Sequence, residues 1–265
     1  MSIHQLLGQA YADETVTIPA GWGQGRATYG GLVAGLLCSR LIAALGDVGQ
    51  DRMLRSATVS FISAVAIGDV ALKTEVFRSG KSVIQAEARL MQNGEVLAVL
   101  LASFGRGRES AINVQTRHTA PDFKKPVDIP AFPYLDGIMP EFFQQTDLRW
   151  AKGGTPFTAS EKPDFGGWMR WQDSFPQMTM AHLFALIDAW PPSVLSMFKA
   201  HAPASTLCWT VEFLAEPVGK NSDSWWQYEV ITDSAKSGYG HAEAHIWDDD
   251  GNLVAISRQT VTVFA

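Results

Sequence analysis

The feature that most constrains the fold of this chain is an internal duplication. The tetrapeptide TVSF at 58–61 returns as TVEF at 210–213, and QAEAR at 85–89 returns as HAEAH at 241–245. The offset between matching residues grows along the chain: it is 152 at TVSF, 154 from Asp69 to Asp223, 155 from Lys81 to Lys236, 156 at QAEAR and 157 from Gly94 to Gly251. Two long copies, with no shorter period, indicate a tandem domain and not a solenoid of small repeats.

Each copy has the same predicted order of elements. A short β-like segment (ETVTI; GGWMRWQ) precedes a helical run (GGLVAGLLCSRLIAAL; MTMAHLFALIDAW), and four β-patterned segments follow. These segments begin near Leu54, Val70, Ser82 and Val96 in the first copy, and near Thr206, Trp225, Gly238 and Leu253 in the second. Asn-Gly and Asp-Gly dipeptides indicate tight hairpins in both copies. The order predicts an α+β fold, with one long helix per copy packed on a curved antiparallel sheet.

A segment rich in proline and polar residues, including TAPDFKKPVDIPAFPY, separates the two copies and is typical of a linker. We therefore predict an N-terminal domain at 1–107, a linker at 108–141 and a C-terminal domain at 142–265.

Composition narrows the classes of partner. The chain has 265 residues, a formal net charge of −6 and two cysteines, Cys38 and Cys208, both in apolar segments. No basic surplus exists to neutralise nucleic-acid phosphates. Two core thiols are typical of a reducing compartment, the N-terminus lacks the pattern of a signal peptide, and we expect no apolar run as long as a membrane span. We expect a cytoplasmic protein with neither nucleic acid nor membrane as partner.

One stretch carries a specific resemblance. The order of elements, the Gly-Gly pair that opens the first helix, and the segment RSGKSVIQAEARLMQNGEVLAVLLASF at 78–104 closely resemble the acyl-CoA thioesterase II (TesB-like) family of double-hotdog enzymes. The resemblance covers nearly the whole chain except the linker. It implies a tandem hotdog fold and hydrolysis of an acyl-CoA substrate, and we expect no cofactor. A double hotdog is already a pseudo-dimer within one chain, and chains can pair further through sheet edges into a dimer of double hotdogs.

The two copies differ where one of them carries polar residues. Alignment of the helices places Asp188 opposite Cys38, and alignment of the strands places Thr206 opposite Leu54 and Gln259 opposite Ala102. An aspartate among apolar helix residues is costly unless its carboxylate has partners or faces a pocket. The second copy is therefore the candidate for catalysis.

The resemblance also implies a role for each residue. Asp188 would be the general base, and Thr206 and Gln259 would hold the attacking water by hydrogen bonds. Backbone N–H groups of Gly30 and Gly31, at the start of the first-copy helix, would stabilise the oxyanion. One copy would then supply the base and the other copy the oxyanion site.

Other motifs have simpler interpretations. The glycine-rich stretch GWGQGRATYGG at 21–31 does not fit the dinucleotide pattern G-x-G-x-x-G, and its early glycines are interpreted as a flexible approach to the helix. His241, Glu243 and His245 are interpreted as a solvated strand face, DDDG at 248–251 as a hairpin turn, and no metal site is expected. His182 lies six residues before Asp188, so their side chains should point in different directions.

Two functional alternatives stay open at this stage. One is a hotdog protein that binds acyl-CoA or another apolar ligand without turning it over, and the other is a hotdog hydratase of enoyl-CoA. Contacts to the phosphates of CoA would need cations. The available basic residues near strand ends, which the sequence does not rank, are Arg78, Lys81, Arg106 and Arg108.

Overall fold

The fold is a single antiparallel sheet of eleven strands that packs against three helices. A computed structural model describes residues 1–264. The first half contains α1 (Ile3–Ala12), β1 (Thr15–Ile18), β2 (Gly23–Gln24), β3 (Ala27–Thr28), α2 (Gly30–Leu45), β4 (Met53–Phe61), β5 (Gly68–Ser79), β6 (Val83–Gln92) and β7 (Glu95–Gly105). The second contains β8 (Thr146–Lys152), β9 (Phe165–Trp171), α3 (Met180–Ile187), β10 (Ala204–Phe213), β11 (Trp226–Lys236), β12 (Tyr239–Trp247) and β13 (Leu253–Val263).

The strand order is β1-β5-β6-β7-β4-β10-β13-β12-β11-β9-β8, and β2 and β3 form a separate small hairpin. The two halves are therefore joined through β4 and β10. Thr58 pairs with Thr210 at this joint, and their hydroxyl oxygens are 3.0 Å apart. Because these residues are equivalent in the duplication, a pseudo-twofold axis passes between them. The α+β prediction is confirmed.

Strand pairing tests the offsets read from the sequence. Ala57 and Ala86 both pair with Ala102, and Trp209 and Ala242 both pair with Gln259, which confirms the offsets of 152, 156 and 157.

The offset of 154 for the second strand of each meander is wrong. Thr74 pairs with Ala88 and Val230 with Ala244, so the true offset of β11 is 156. A slip of two residues keeps every side chain on the same face of a strand, which is why the pattern did not reveal it. The hairpins that follow are of equal length, so the offset of 155 at Lys81 is wrong by one residue.

The helices α2 and α3 cross at small residues. A Cβ on Gly31 would lie 2.3 Å from the carbonyl oxygen of Ala185, and a Cβ on Gly35 would lie 3.0 Å from Cβ of Ala185 and 3.3 Å from the carbonyl oxygen of Ala181. The two contacts are equivalent under the offset of 150, which confirms the alignment of the helices. Only glycine at residue 31 permits this approach of the two backbones.

Several elements were not predicted. α1 covers α2 and buries Leu6 and Leu7, and β8 adds an edge strand to the second half. The early glycines form the β2–β3 hairpin, with Gly25 at φ +67°, so their interpretation as a flexible approach is wrong. The expectation about apolar runs is also wrong: Gly30–Gly49 is long and apolar enough to cross a membrane, although most of its residues are buried within this fold.

The predicted linker is docked on the second half. Side chains on the face of the sheet opposite the helices, here called the outer face, hold its backbone: Trp247 Nε1 donates to the carbonyl of His118 at 3.4 Å, and Trp168 Nε1 donates to that of Lys124 at 2.9 Å. Residues on the other face of the same strands pack toward the helices, as Gly167 does against Trp190. The linker thus covers the outer face of the second half.

Candidate active site

Asp188 follows directly on the last residue of α3, in the second half. Its carboxylate reaches the first residues of α2, in the first half: a Cβ on Gly30 would lie 2.8 Å from Oδ2 of Asp188 and 3.3 Å from the ring of Phe61. Thr179 caps the start of α3, accepting a hydrogen bond from the backbone N–H of His182, and all eight residues of the helix are buried. The crossing of two fixed helices therefore positions the candidate base beside the glycine pair.

Gln259 links the carboxylate to Thr206. Its Nε2 donates to Oδ1 of Asp188 at 3.2 Å and to Oγ1 of Thr206 at 3.0 Å. Thr206 lies on β10 immediately before an irregularity in the pairing with β13, where Leu207 is left without a partner. Bulges of this kind re-aim side chains beside functional sites. The structure thus brings Asp188, Thr206, Gln259, Gly30 and Gly31 together.

Burial controls the electrostatics of the site. Desolvation raises the pKa of Asp188 from 3.8 to about 7, while hydrogen bonds from the backbone of Gly31 and from Gln259 oppose the rise. Burial, and secondarily the nearby Asp188 carboxylate, raises the pKa of Tyr29 and of Tyr228. Both tyrosines therefore remain protonated at neutral pH, and the carboxyl group of Asp188 can exchange a proton there.

A small cavity adjoins the carboxylate on the side of the second half. It offers about 20 Å³ to the centre of a water molecule, which is room for about one water. Its walls combine Asp188 and Gln259 with large aromatic side chains. The aromatic residues are Trp190, Trp209 and Tyr228.

The equivalent place in the first half has no such chemistry. Cys38, Leu54 and Ala102 occupy the positions that correspond to Asp188, Thr206 and Gln259. Burial raises the pKa of the Cys38 thiol to about 12, so it stays a neutral thiol. Of these two pseudosymmetric places, the one in the second half therefore contains a candidate base.

The histidine on α3 is separate from this site, as predicted. His182 shares a hydrogen bond of 2.7 Å with Thr179 and lies 3.3 Å from His4. Burial, together with His4, lowers its pKa to about 4. His182 is therefore neutral and has structural partners.

The predictions made for two other motifs have different outcomes. Asp248 and its neighbours do form a turn, where Lys220 contacts Asp249 and Asp250. The interpretation of His241, Glu243 and His245 as a solvated face is wrong at one residue, because only 5% of His245 is exposed. The linker, whose docking the sequence did not predict, covers it.

The basic candidates for CoA phosphates are not at the Asp188 carboxylate. Arg106 and Lys81 lie where β4 begins, since Met53 and Val83 both pair with Gly105. Phe61, next to Gly30, is at the opposite end of β4, roughly 25 Å away at the usual rise per strand residue. The structure does not bring Arg106 and Lys81 to the candidate catalytic residues.

Sequence reasoning missed three aromatic neighbours of the carboxylate: Tyr29, Phe61 and Tyr228. Tyr29 precedes the Gly-Gly pair, and its hydroxyl donates to the carbonyl of Ala185. The position of Tyr29, immediately before the glycine pair that opens a helix, could have identified it from the sequence. Phe61 and Tyr228 have no such sequence signal, because the register of their strands decides what they face.

Solved structures with the same architecture define the class of fold. A hot dog fold protein from Alicyclobacillus acidocaldarius has a TM-score of 0.82 at 24% identity, covering 95% of this chain and 92% of that one. Acyl-CoA thioesterase II TesB2 from Mycobacterium marinum has a TM-score of 0.70 at 20% identity, covering 90% of both chains. The TesB protein of Mycobacterium avium subspecies paratuberculosis has a TM-score of 0.76 at 14% identity, covering all of both. The chain is a tandem hotdog protein.

Comparison of the sequence with protein-family models agrees with the similarity of the structures. The acyl-CoA thioesterase N-terminal domain matches residues 18–105, and the acyl-CoA thioesterase C-terminal domain matches residues 119–263. The chain belongs to the acyl-CoA thioesterase family, as the resemblance predicted. No protein of curated function matches it.

Proposed function

We propose that this protein hydrolyses acyl-CoA thioesters to a free acid and CoA, with one working site per chain. The observation that carries the proposal is the placement of Asp188: a carboxyl group with a pKa of about 7, hydrogen-bonded to Gln259, beside the first residues of a helix from the other half. Membership of the thioesterase family supports the reaction type.

In the proposed reaction Asp188, as carboxylate, accepts a proton from a water molecule while the water oxygen attacks the thioester carbon. Gln259 donates both hydrogen bonds through its Nε2, so its Oε1 and the hydroxyl hydrogen of Thr206 can orient the water. The backbone N–H of Gly30, at the start of α2, stabilises the negative charge on the carbonyl oxygen, while the N–H of Gly31 donates to the Asp188 carboxylate and does not serve the oxyanion. The carbon–sulfur bond then breaks, the thiolate of CoA leaves, and Asp188 returns the proton to the sulfur. Water and protein groups suffice for every step.

The test is a thiol-release assay on a panel of acyl-CoAs with the wild type and Asp188→Asn. Asparagine keeps the shape of the side chain and removes the base, so turnover should fall by about 10²-fold or more. The matched control is Cys38→Ala, the pseudosymmetric position, which should retain turnover if it is folded. Wild-type turnover in Asp188→Asn would refute the assignment.

The same assay separates the alternatives. Binding of acyl-CoA without thiol release would favour a carrier. Loss of enoyl absorbance without free thiol would favour a hydratase. The raised pKa of Asp188 favours catalysis over simple binding, because a carrier gains nothing from a costly buried base.

A further inference from the structure

A second polar cavity lies directly behind the proposed active site, on the outer face of the sheet. It is lined by alternate residues of the strands that line the catalytic cavity: Glu243 and His245 on β12 face outward where Ala242 and Ala244 face inward. The cavity measures about 220 Å³. Its walls are His118, Thr210, Glu212, Glu243, His245, Ile256 and Arg258. This outer-face cavity is closed on one side by the linker.

His245 is the unusual member of this set. Only 6% of its side chain is exposed, and its Nε2 is buried without a hydrogen-bond partner among the described residues. An unpartnered buried nitrogen is costly unless a ligand satisfies it. Nε2 lies 3.6 Å from Oε1 of Glu243, which is too long for a hydrogen bond.

The gap of 3.6 Å suits a metal ion. An ion at ~2.1 Å from both atoms, the usual length for zinc bonds to nitrogen and oxygen, would make an angle of about 120° between them, within the range of four- and five-coordinate sites. The other oxygen of Glu243 accepts from Arg258 at 2.6 Å, which fixes the orientation of the carboxylate. Outer partners of this kind commonly hold metal ligands in place.

A third ligand is available from the linker. The ring of His118 lies on that of His245, with centroids 3.9 Å apart and planes 27° from parallel. His118 is exposed and belongs to a loop, but in the stack its nitrogens are not grouped with the atoms at the gap, so the site requires a change of rotamer that turns one of them toward it. Two imidazoles and one carboxylate are ligands that divalent transition metals prefer.

The local charge, and a comparison with the equivalent place in the first half, both support a bound cation in the outer-face cavity. Arg258 binds both Glu243 and Asp233, and Glu212 lines the same cavity, so carboxylates outnumber the guanidinium among these residues. In the first half Arg89 replaces His245 and bonds directly to Glu87 at 2.6 Å, so the carboxylate there is neutralised.

We propose that the outer-face cavity binds one divalent transition-metal ion of the zinc type through His245, Glu243 and His118. The binding site is distinct from the catalytic cluster, because the sheet separates the two. Its ligands come from β12 and from the linker, so the metal fastens the linker to the second half.

The experiment is calorimetric titration of the chelator-treated full chain with Zn²⁺, repeated with Co²⁺ as a spectroscopic probe. We expect one equivalent to bind, and at least a tenfold loss of affinity in His245→Gln and in His118→Ala. His241→Ala is the matched control, because His241 is exposed on the same strand face and hydrogen-bonds to Thr260; its affinity should equal that of the wild type.

A second readout covers variants that fold poorly. Zn²⁺ should raise the melting temperature of the wild type and of His241→Ala, and should not raise that of His245→Gln. Absence of stoichiometric binding, or wild-type affinity in either ligand variant, would overturn the proposal. Zn²⁺ binding is measured without acyl-CoA, and thiol release by the wild type and by His241→Ala is measured separately, so failure here leaves the proposed thioesterase activity untouched.

Discussion

At the scale of single residues, the cost of a buried base determines how stability depends on pH. Asp188 has an ordinary pKa of 3.8 and a pKa of about 7 in the folded chain. Below about pH 4 it is protonated in both states and costs nothing. Between about pH 4 and 7 the unfolded chain loses the proton while the folded chain keeps it, so folding stability falls; above pH 7 the loss is complete.

The substitution Asp188→Asn should remove this pH-dependent loss of folding stability. Its free energy of unfolding should match the wild type near pH 4, exceed it increasingly up to pH 7, and keep a constant excess above that, with about 4 kcal/mol as an upper limit from the pKa difference. Urea denaturation of both proteins from pH 4 to 9 measures the difference and cancels every other titrating group. Parallel curves across the range would contradict the raised pKa.

Gln259 should tune the activity through the same carboxyl group. Its hydrogen bond lowers the pKa of Asp188, so Gln259→Leu should raise that pKa and move the rising limb of kcat/KM, which reports the ionised base, to higher pH. The pH profile separates this effect from a simple loss of rate. Gln85→Leu, which removes an exposed side chain bonded to Ser103, is the control and should leave the limb in place. An unshifted limb in Gln259→Leu would argue against the proposed base.

At the scale of elements, the site depends on the close crossing of α2 and α3. Gly31→Ala would force a Cβ against the carbonyl of Ala185 and the ring of Tyr29, so we expect a loss of about 3 kcal/mol. Gly8→Ala, in the exposed part of α1, meets no atom within 4 Å and should stabilise by ~0.5–1 kcal/mol, as alanine is the better helix former. Urea denaturation of the pair checks both signs. Equal effects would show that the helix crossing tolerates a methyl group.

The elements that could be predicted are those with a repeated or periodic signal. Duplication located both core helices and eight strands of the two meanders, and the contrast between copies found Asp188, Thr206 and Gln259 without any contact information. α1 and β8 were not predicted, because neither has a counterpart in the other copy. The register of β11 was predicted wrongly, because a slip of two residues keeps every side chain on the same face of the strand.

Residues whose role depends on long-range packing could not be predicted. Tyr228 reaches the site only because β11 is in one particular register, and His245 is buried only because the linker folds back over β12. A local pattern shows that a strand residue faces outward, but it does not show what covers that face. Prediction of the outer-face cavity from sequence would have required the path of residues 106–141.

At the scale of the whole molecule, the two halves share one sheet and one site. β4 and β10 pair with each other over five residue positions, and α2 packs directly on α3. Neither half contains the whole candidate site, because Asp188 and Gly30 come from different halves. Stability and catalysis should therefore be lost in the same transition.

The chain offers a separate reporter for each half. Eight of the nine tryptophans lie in the second half, with Trp22 alone in the first, and buried Cys38 reports on the first half once Cys208 is replaced by serine. In urea, the loss of tryptophan fluorescence signal and the exposure of Cys38 to a thiol reagent should follow one curve with one midpoint. Thr210→Pro, which removes a backbone donor from β10, the strand that joins the two halves, should move both midpoints down together. Two separated midpoints in the Cys208→Ser chain would mean that the halves fold independently, and the joint through β4 and β10 would then be a contact between finished domains instead of part of a common core.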